Sequence, residues 1–147
     1  MKILKLFIIL ISLPFCTGCN NDDDKGPDPS QNTGLQGKWN LINISGGFAG
    51  YNYDFEKGLI TWTFNEANST LTVVNNNPAD IYDALGMGTY DYVFAVNTAT
   101  PELCPTVIQM TQGDSEVLYN FGCHTLEGNT LTFSQIEADG FKLTLIR

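Results

Sequence analysis

From Leu35 onward the sequence predicts an all-β domain, an antiparallel up-and-down sheet of eight strands. Three observations carry this. Strand-period runs dominate the segment, and no stretch keeps a helical period. Gly, Asn and Asp punctuate the runs at short intervals. Alternation within two candidate hairpins puts apolar residues on one shared face. The 147 residues hold one domain, two at most. Their 43% apolar content suffices for a packed core, while 16% charged residues is low for a soluble protein.

The chain begins with an address. Lys2 and Lys5 form a short basic region, and an apolar run follows over residues 6–13. That run is shorter than the roughly 20 residues a membrane-spanning helix needs, and it fits a secretory signal. Phe15-Cys16-Thr17-Gly18-Cys19 places small residues before a cysteine. This resembles a bacterial lipobox, which implies cleavage after residue 18 and lipidation of Cys19. Cys16 stands where that pattern prefers Leu, and the alternative is an ordinary cleaved signal with a free cysteine. A lipid anchor of several chains holds a protein on a membrane durably without a spanning helix. Cleavage removes Lys2 and Lys5, leaving five basic against sixteen acidic residues, a net charge of −11.

Residues 19–34 read as a linker. Asn20-Asn21-Asp22-Asp23-Asp24 is followed by a stretch rich in Pro, Gly and Asx, a composition that favours disorder. Fully extended, residues 20–36 reach roughly 60 Å. The acidic run after the cysteine resembles the surface-export signal of Bacteroidota lipoproteins, which implies an outer-membrane protein exposed at the cell surface. A periplasm-facing lipoprotein is the alternative.

Strands are predicted over 38–45, 59–65, 70–75, 89–96, 106–111, 116–121, 130–134 and 141–146, with one short helical turn over 80–85. With residues 66–69 as a loop, Phe64 faces Leu71 and Trp62 faces Val73, while Thr61, Thr63, Thr70 and Thr72 take the other face. In the fourth strand Tyr90, Tyr92, Phe94 and Val96 share a side. In the last pair, Leu131 and Phe133 match Phe141, Leu143 and Leu145. A two-residue turn at Gly113-Asp114 makes paired residue numbers sum to 227. Met110 then faces Val117, Ile108 faces Tyr119, and Cys104 falls opposite Cys123. Opposed residues lie within disulfide range, and a secreted protein meets an oxidising compartment. A Cys104–Cys123 bridge is predicted, with Pro105 able to disturb the register locally.

Gly37-Lys38-Trp39-Asn40-Leu41 opens the first strand. A Gly-x-Trp there, with seven strands after it, resembles the lipocalin family. Together with Ile60-Thr61-Trp62-Thr63-Phe64-Asn65, it is similar to the lipocalin-like domains of Bacteroidota lipoproteins. The resemblance covers residues 35–147 and implies an eight-stranded β-barrel. It also implies a tryptophan at the closed end with a basic residue across it, here Trp39 and Arg147. An open β-sandwich remains the fold alternative, since its alternation is the same. About 113 residues without a final helix is short for a lipocalin.

The resemblance implies a small apolar or amphipathic ligand at the barrel mouth. Phe48, Tyr51, Tyr53 and Phe55 sit on a Gly-rich segment in the position of a lipocalin lid, and Trp62, Phe64, Tyr92 and Tyr119 are the candidate contacts inside. A loop carrying Tyr and Phe is equally a platform for a sugar or a protein partner. The inward set holds ten aromatics: Trp39, Trp62, Phe64, Tyr90, Tyr92, Phe94, Tyr119, Phe121, Phe133 and Phe141. An eight-stranded barrel is just wide enough for side chains to fill, so the alternative is a filled barrel that acts through its loops.

The reading is non-catalytic. His124 is the single histidine, beside Cys123, with no Ser-His-Asp pattern. No phosphate-cradling Gly loop is present, and Asp80-Ile81-Tyr82-Asp83 lacks ion-loop spacing. No cofactor and no metal are expected. A pI near 4.2 argues against nucleic acid. The expected partners are the membrane, through the anchor, and one small ligand or surface partner, with the protein a monomer.

Overall fold

The computed structural model describes residues 34–113, 118–135 and 139–147. The lipidation site at Cys19, the signal peptide and nearly all of the linker lie outside the described residues. The described residues form nine strands: β1 (Gly37–Gly46), β2 (Tyr51–Asp54), β3 (Ile60–Asn65), β4 (Thr70–Asn75), β5 (Gly88–Val96), β6 (Thr106–Thr111), β7 (Leu118–Glu127), β8 (Thr130–Ser134) and β9 (Phe141–Ile146). From β3 to β9 each strand pairs antiparallel with its successor in the chain, as short connections favour. β9 pairs back onto β1 from Asn40↔Ile146 to Gly46↔Phe141. That pairing closes an eight-stranded up-and-down barrel of β1 and β3–β9 and overturns the open-sandwich alternative.

β2 is the additional strand, and its four residues lie in the loop expected between residues 46 and 58. It pairs with the second half of β1 while β3 pairs with the first half, both on the same edge. Paired residue numbers add to 97 along β2 and to 101 along β3. The two are therefore one interrupted strand with four extra residues between them. Phe55 opens that bulge, its N–H donating to the Ile42 carbonyl at 2.9 Å, and its ring turns into the core.

The Phe64↔Leu71 and Trp62↔Val73 pairs form as expected. The β6–β7 register is corrected. Met110 faces Tyr119 rather than Val117, and Ile108 faces Gly122 across a bulge rather than Tyr119. The shift is two residues from Thr111 to Gln109, which preserves the face each side chain takes, and three beyond the bulge, where His124 rather than Cys123 turns inward beside Phe133. The bulge also lets β7 run on to Glu127, beyond the expected end at residue 121, so His124 lies within a strand and not at its end. Gly122 makes the bulge possible. Its φ is +70°, and an added Cβ would lie 2.1 Å from the Ser134 carbonyl oxygen. The expected helical turn over 80–85 does not form, and that segment is irregular chain.

The core fills the barrel. Trp39, Trp62, Phe64 and Phe133 are fully buried, and Tyr90, Tyr92 and Phe121 nearly so. Truncating such a ring to Ala typically costs about 3–5 kcal/mol. Phe94, Tyr119 and Phe141 are only partly buried against this cluster. Val96, expected on the inner face, is exposed, because β5 runs past the end of β4.

Candidate functional site

In a meander, successive connections alternate between barrel ends. Residues 66–69, 97–105 and 128–129 lie at the end where Gly34 enters, and residues 47–50, 76–87 and 139–140 lie at the other, the rim.

The Gly34 end is closed by the expected stack. The Arg147 guanidinium sits 4.1 Å from the Trp39 ring centroid. Arg147 Nη2 donates to the Gly34 carbonyl, and to that of Gln36 at 3.4 Å. Trp39 Nε1 donates to the Leu35 carbonyl at 2.7 Å. A cation held over a buried ring is worth about 0.5–2 kcal/mol. The expected disulfide forms between Cys104, on the loop at this end, and Cys123, with Cα atoms 5.8 Å apart. The two are not ladder partners: Cys123 faces Ser134, and Cys104 precedes β6. The loop at residues 97–105 returns Cys104 to β7, and Asn97 holds that loop. Asn97 Nδ2 donates to the carbonyls of Thr100 at 2.8 Å and Cys104 at 3.0 Å, and its Oδ1 accepts from the Thr100 N–H at 3.0 Å.

Aromatic rings occupy the middle of the barrel. Trp62 touches Phe121 edge-on at 5.5 Å and Phe133 at 5.8 Å, and Phe64 meets Tyr92 edge-on at 5.5 Å. Trp62, Phe64 and Tyr92 are thus brought together as core. Tyr119 stands higher, edge-on to Tyr90 at 6.0 Å. Two buried polar atoms in this region lack a hydrogen-bond partner among the described residues, Trp62 Nε1 and His124 Nδ1. His124 packs between Phe94 and Phe133, and burial lowers its pKa below the usual histidine value. A shallow hollow of about 200 Å³ lies on the outer face of β7–β9, lined by the polar side chains of Thr125, Glu127, Thr130, Thr132, Ser134 and Lys142. Another, of about 130 Å³, lies outside β5–β7 near Asn97 and Gln109.

The four residues placed on a lid part company. Phe48 is 90% exposed at the tip of the β1–β2 turn. Tyr51 and Tyr53 lie on β2 with their rings stacked at 5.4 Å, and Phe55 is core. The segment that covers the rim is residues 76–87, where the sequence predicted a short helical turn and no cover. Leu85 is buried there, with Ile81 and Ala84 packed against the core beside it. Tyr82 reaches β9 across the opening, stacks on Phe141 at 4.3 Å and hydrogen-bonds the Gln135 side chain. Asn75 Nδ2 fastens the base of this segment, donating to Asp83 Oδ2 at 2.7 Å and the Leu85 carbonyl at 3.1 Å. The Tyr90 hydroxyl donates to the Gly86 carbonyl at 2.9 Å. Isolated apolar residues in a segment without periodicity gave no sequence signal for this cover.

The described residues hold no group of three or more His, Cys, Asp or Glu side chains placed for a metal ion. The chain, compared with protein-family models, with curated proteins and with solved structures, finds no match.

Proposed function

We propose that this protein is a lipid-anchored, non-catalytic surface module whose barrel is a filled scaffold and whose work is done from its outside. One observation carries this reading: the barrel's middle is occupied by buried rings in mutual contact, from Trp62 through Phe121 and Phe133 to Phe64. An anchor at Cys19 would join the barrel at its Gly34 end, and a linker of that length leaves the opposite rim free to face outward. Membrane attachment is tested by labelled fatty-acid incorporation. The wild-type protein takes up label and Cys19→Ala does not; label on Cys19→Ala overturns the anchor.

A second reading, a small apolar ligand inside a lipocalin-like barrel, draws on the unpartnered Trp62 Nε1. A buried N–H left without an acceptor costs about 1–3 kcal/mol, and a ligand oxygen would satisfy it. A native mass spectrum of the purified protein separates the two. The filled scaffold predicts the bare chain. A bound mass that leaves on denaturation establishes the ligand reading instead.

A further inference from the structure

The rim carries a strip of aromatic rings at the edge of the core, Tyr53 and Phe141 packed against it and Tyr51 and Tyr82 exposed. Tyr51 and Tyr53 are stacked with an interplanar angle of 18°, and Tyr82 and Phe141 with one of 27°. Gly47 lies between the two pairs. A Cβ added there would come within 2.8 Å of Phe141 Cζ and 3.4 Å of Tyr51 Cδ2. The four rings are therefore contiguous across one bare stretch of backbone. Tyr51 is 46% and Tyr82 38% exposed.

We propose that this strip binds a neutral oligosaccharide, with sugar rings packed on the aromatic faces. The proposal rests on the reading of a filled barrel that works from its outside. The C–H faces of a pyranose carry slight positive charge and meet the negative face of an aromatic ring, while the tyrosine hydroxyls bond to sugar hydroxyls. The rings are held before a ligand arrives. β2 is paired to β1, Gly47 N–H donates to the Gly140 carbonyl at 3.3 Å, and Gln135 bonds Tyr82. Pre-ordered tyrosines lose little entropy on binding. Two ring pairs either side of a glycine match more than one sugar unit.

Charge selects among the possible occupants. The segments that bear the strip, 47–54, 76–87 and 139–142, carry Asp54, Asp80, Asp83 and Asp139 against one base, Lys142. An anionic lipid surface, a nucleic acid or a sulfated glycan would meet repulsion there. A neutral glycan meets none.

The test is a titration of the purified, isotopically labelled protein with cellohexaose, xylohexaose, mannohexaose and maltoheptaose, followed by amide NMR. The expected result is saturable shifts at Gly47, Tyr51, Tyr53, Tyr82 and Phe141 with at least one of the four, and none with an oligogalacturonate. Tyr51→Ala weakens that binding about tenfold. Tyr51→Phe keeps the ring and restores most of it, and Val96→Ala, at the opposite end, leaves it unchanged. Absence of shifts with all four sugars overturns the proposal, as do shifts confined to another surface or full-strength binding by Tyr51→Ala. In those cases the filled-barrel reading stands. Shifts centred on Ile108, Leu131 and Leu143 overturn that reading as well.

Discussion

Removing the Cys104–Cys123 bridge isolates the one covalent constraint on the described fold. The closed loop has a sequence separation of 19. Chain entropy assigns a loop of that size about 3 kcal/mol of stabilisation, acting on the unfolded state. For a domain of this size the unfolding entropy is roughly 240 cal/mol/K, so the melting temperature should fall by about 12 °C. The native loop should survive, because Asn97, only 3% exposed, fastens residues 97–105 through bonds that do not involve the bridge. The assay is thermal unfolding of Cys104→Ala/Cys123→Ala against the wild type, with near-ultraviolet circular dichroism checking the folded state. A fall below about 3 °C would refute the reasoning, and so would a non-reducing digest without the bridged peptide.

Three further outcomes follow from geometry. Gly122→Ala drives a Cβ into the β8 backbone at Ser134 and Gln135 and should cost about 3 kcal/mol. Gly128→Ala, whose Cβ meets open space, should cost only about 1–2 kcal/mol from its positive φ; denaturant titration compares them. Arg147→Ala removes the cation over Trp39 and two bonds to the entering strand, a loss of about 1–2 kcal/mol. Arg147→Lys should restore only part of it, since a point charge lacks the planar fork. His124 is held neutral by burial, with its folded pKa below the unfolded value. The unfolded chain therefore binds more protons as pH drops below about 6.5. Stability contributed by His124 is fully present above that pH and is lost as pH falls toward the folded pKa. His124→Phe should flatten that part of the stability–pH curve, and an unchanged slope would count against the buried imidazole.

The β3–β4 hairpin was readable because threonine and large apolar residues alternate strictly from Ile60 to Val73. One register then satisfies both faces. Between β6 and β7 the Gly113-Asp114 turn misled, since the connection is longer and the Gly122 bulge adds a residue. Faces up to the bulge survived that error because a two-residue slip keeps parity, whereas beyond it the slip is three and His124 turns inward in place of Cys123. The disulfide survived it because the loop at 97–105, rather than ladder pairing, delivers Cys104. β2 escaped detection because four residues are too few to outweigh the glycines around them, although Tyr51-Asn52-Tyr53-Asp54 does alternate. The cover over the rim depends on Leu85 and Ile81 finding the core from irregular chain, a tertiary event with no local period. Trp39 on β1 and Arg147, just past the end of β9, do stack, since the closed barrel sets the two chain ends side by side.

Whether the barrel interior is filled is the claim on which the rest depends. Methyl NMR of the purified protein under xenon pressure tests it directly, because xenon enters apolar voids that water leaves empty. The account predicts no saturable shift at the methyls of Leu71, Ile108, Leu131, Leu143 and Leu145, all fully buried around the rings. A saturable shift clustered on those methyls would reveal a cavity inside the barrel and contradict it.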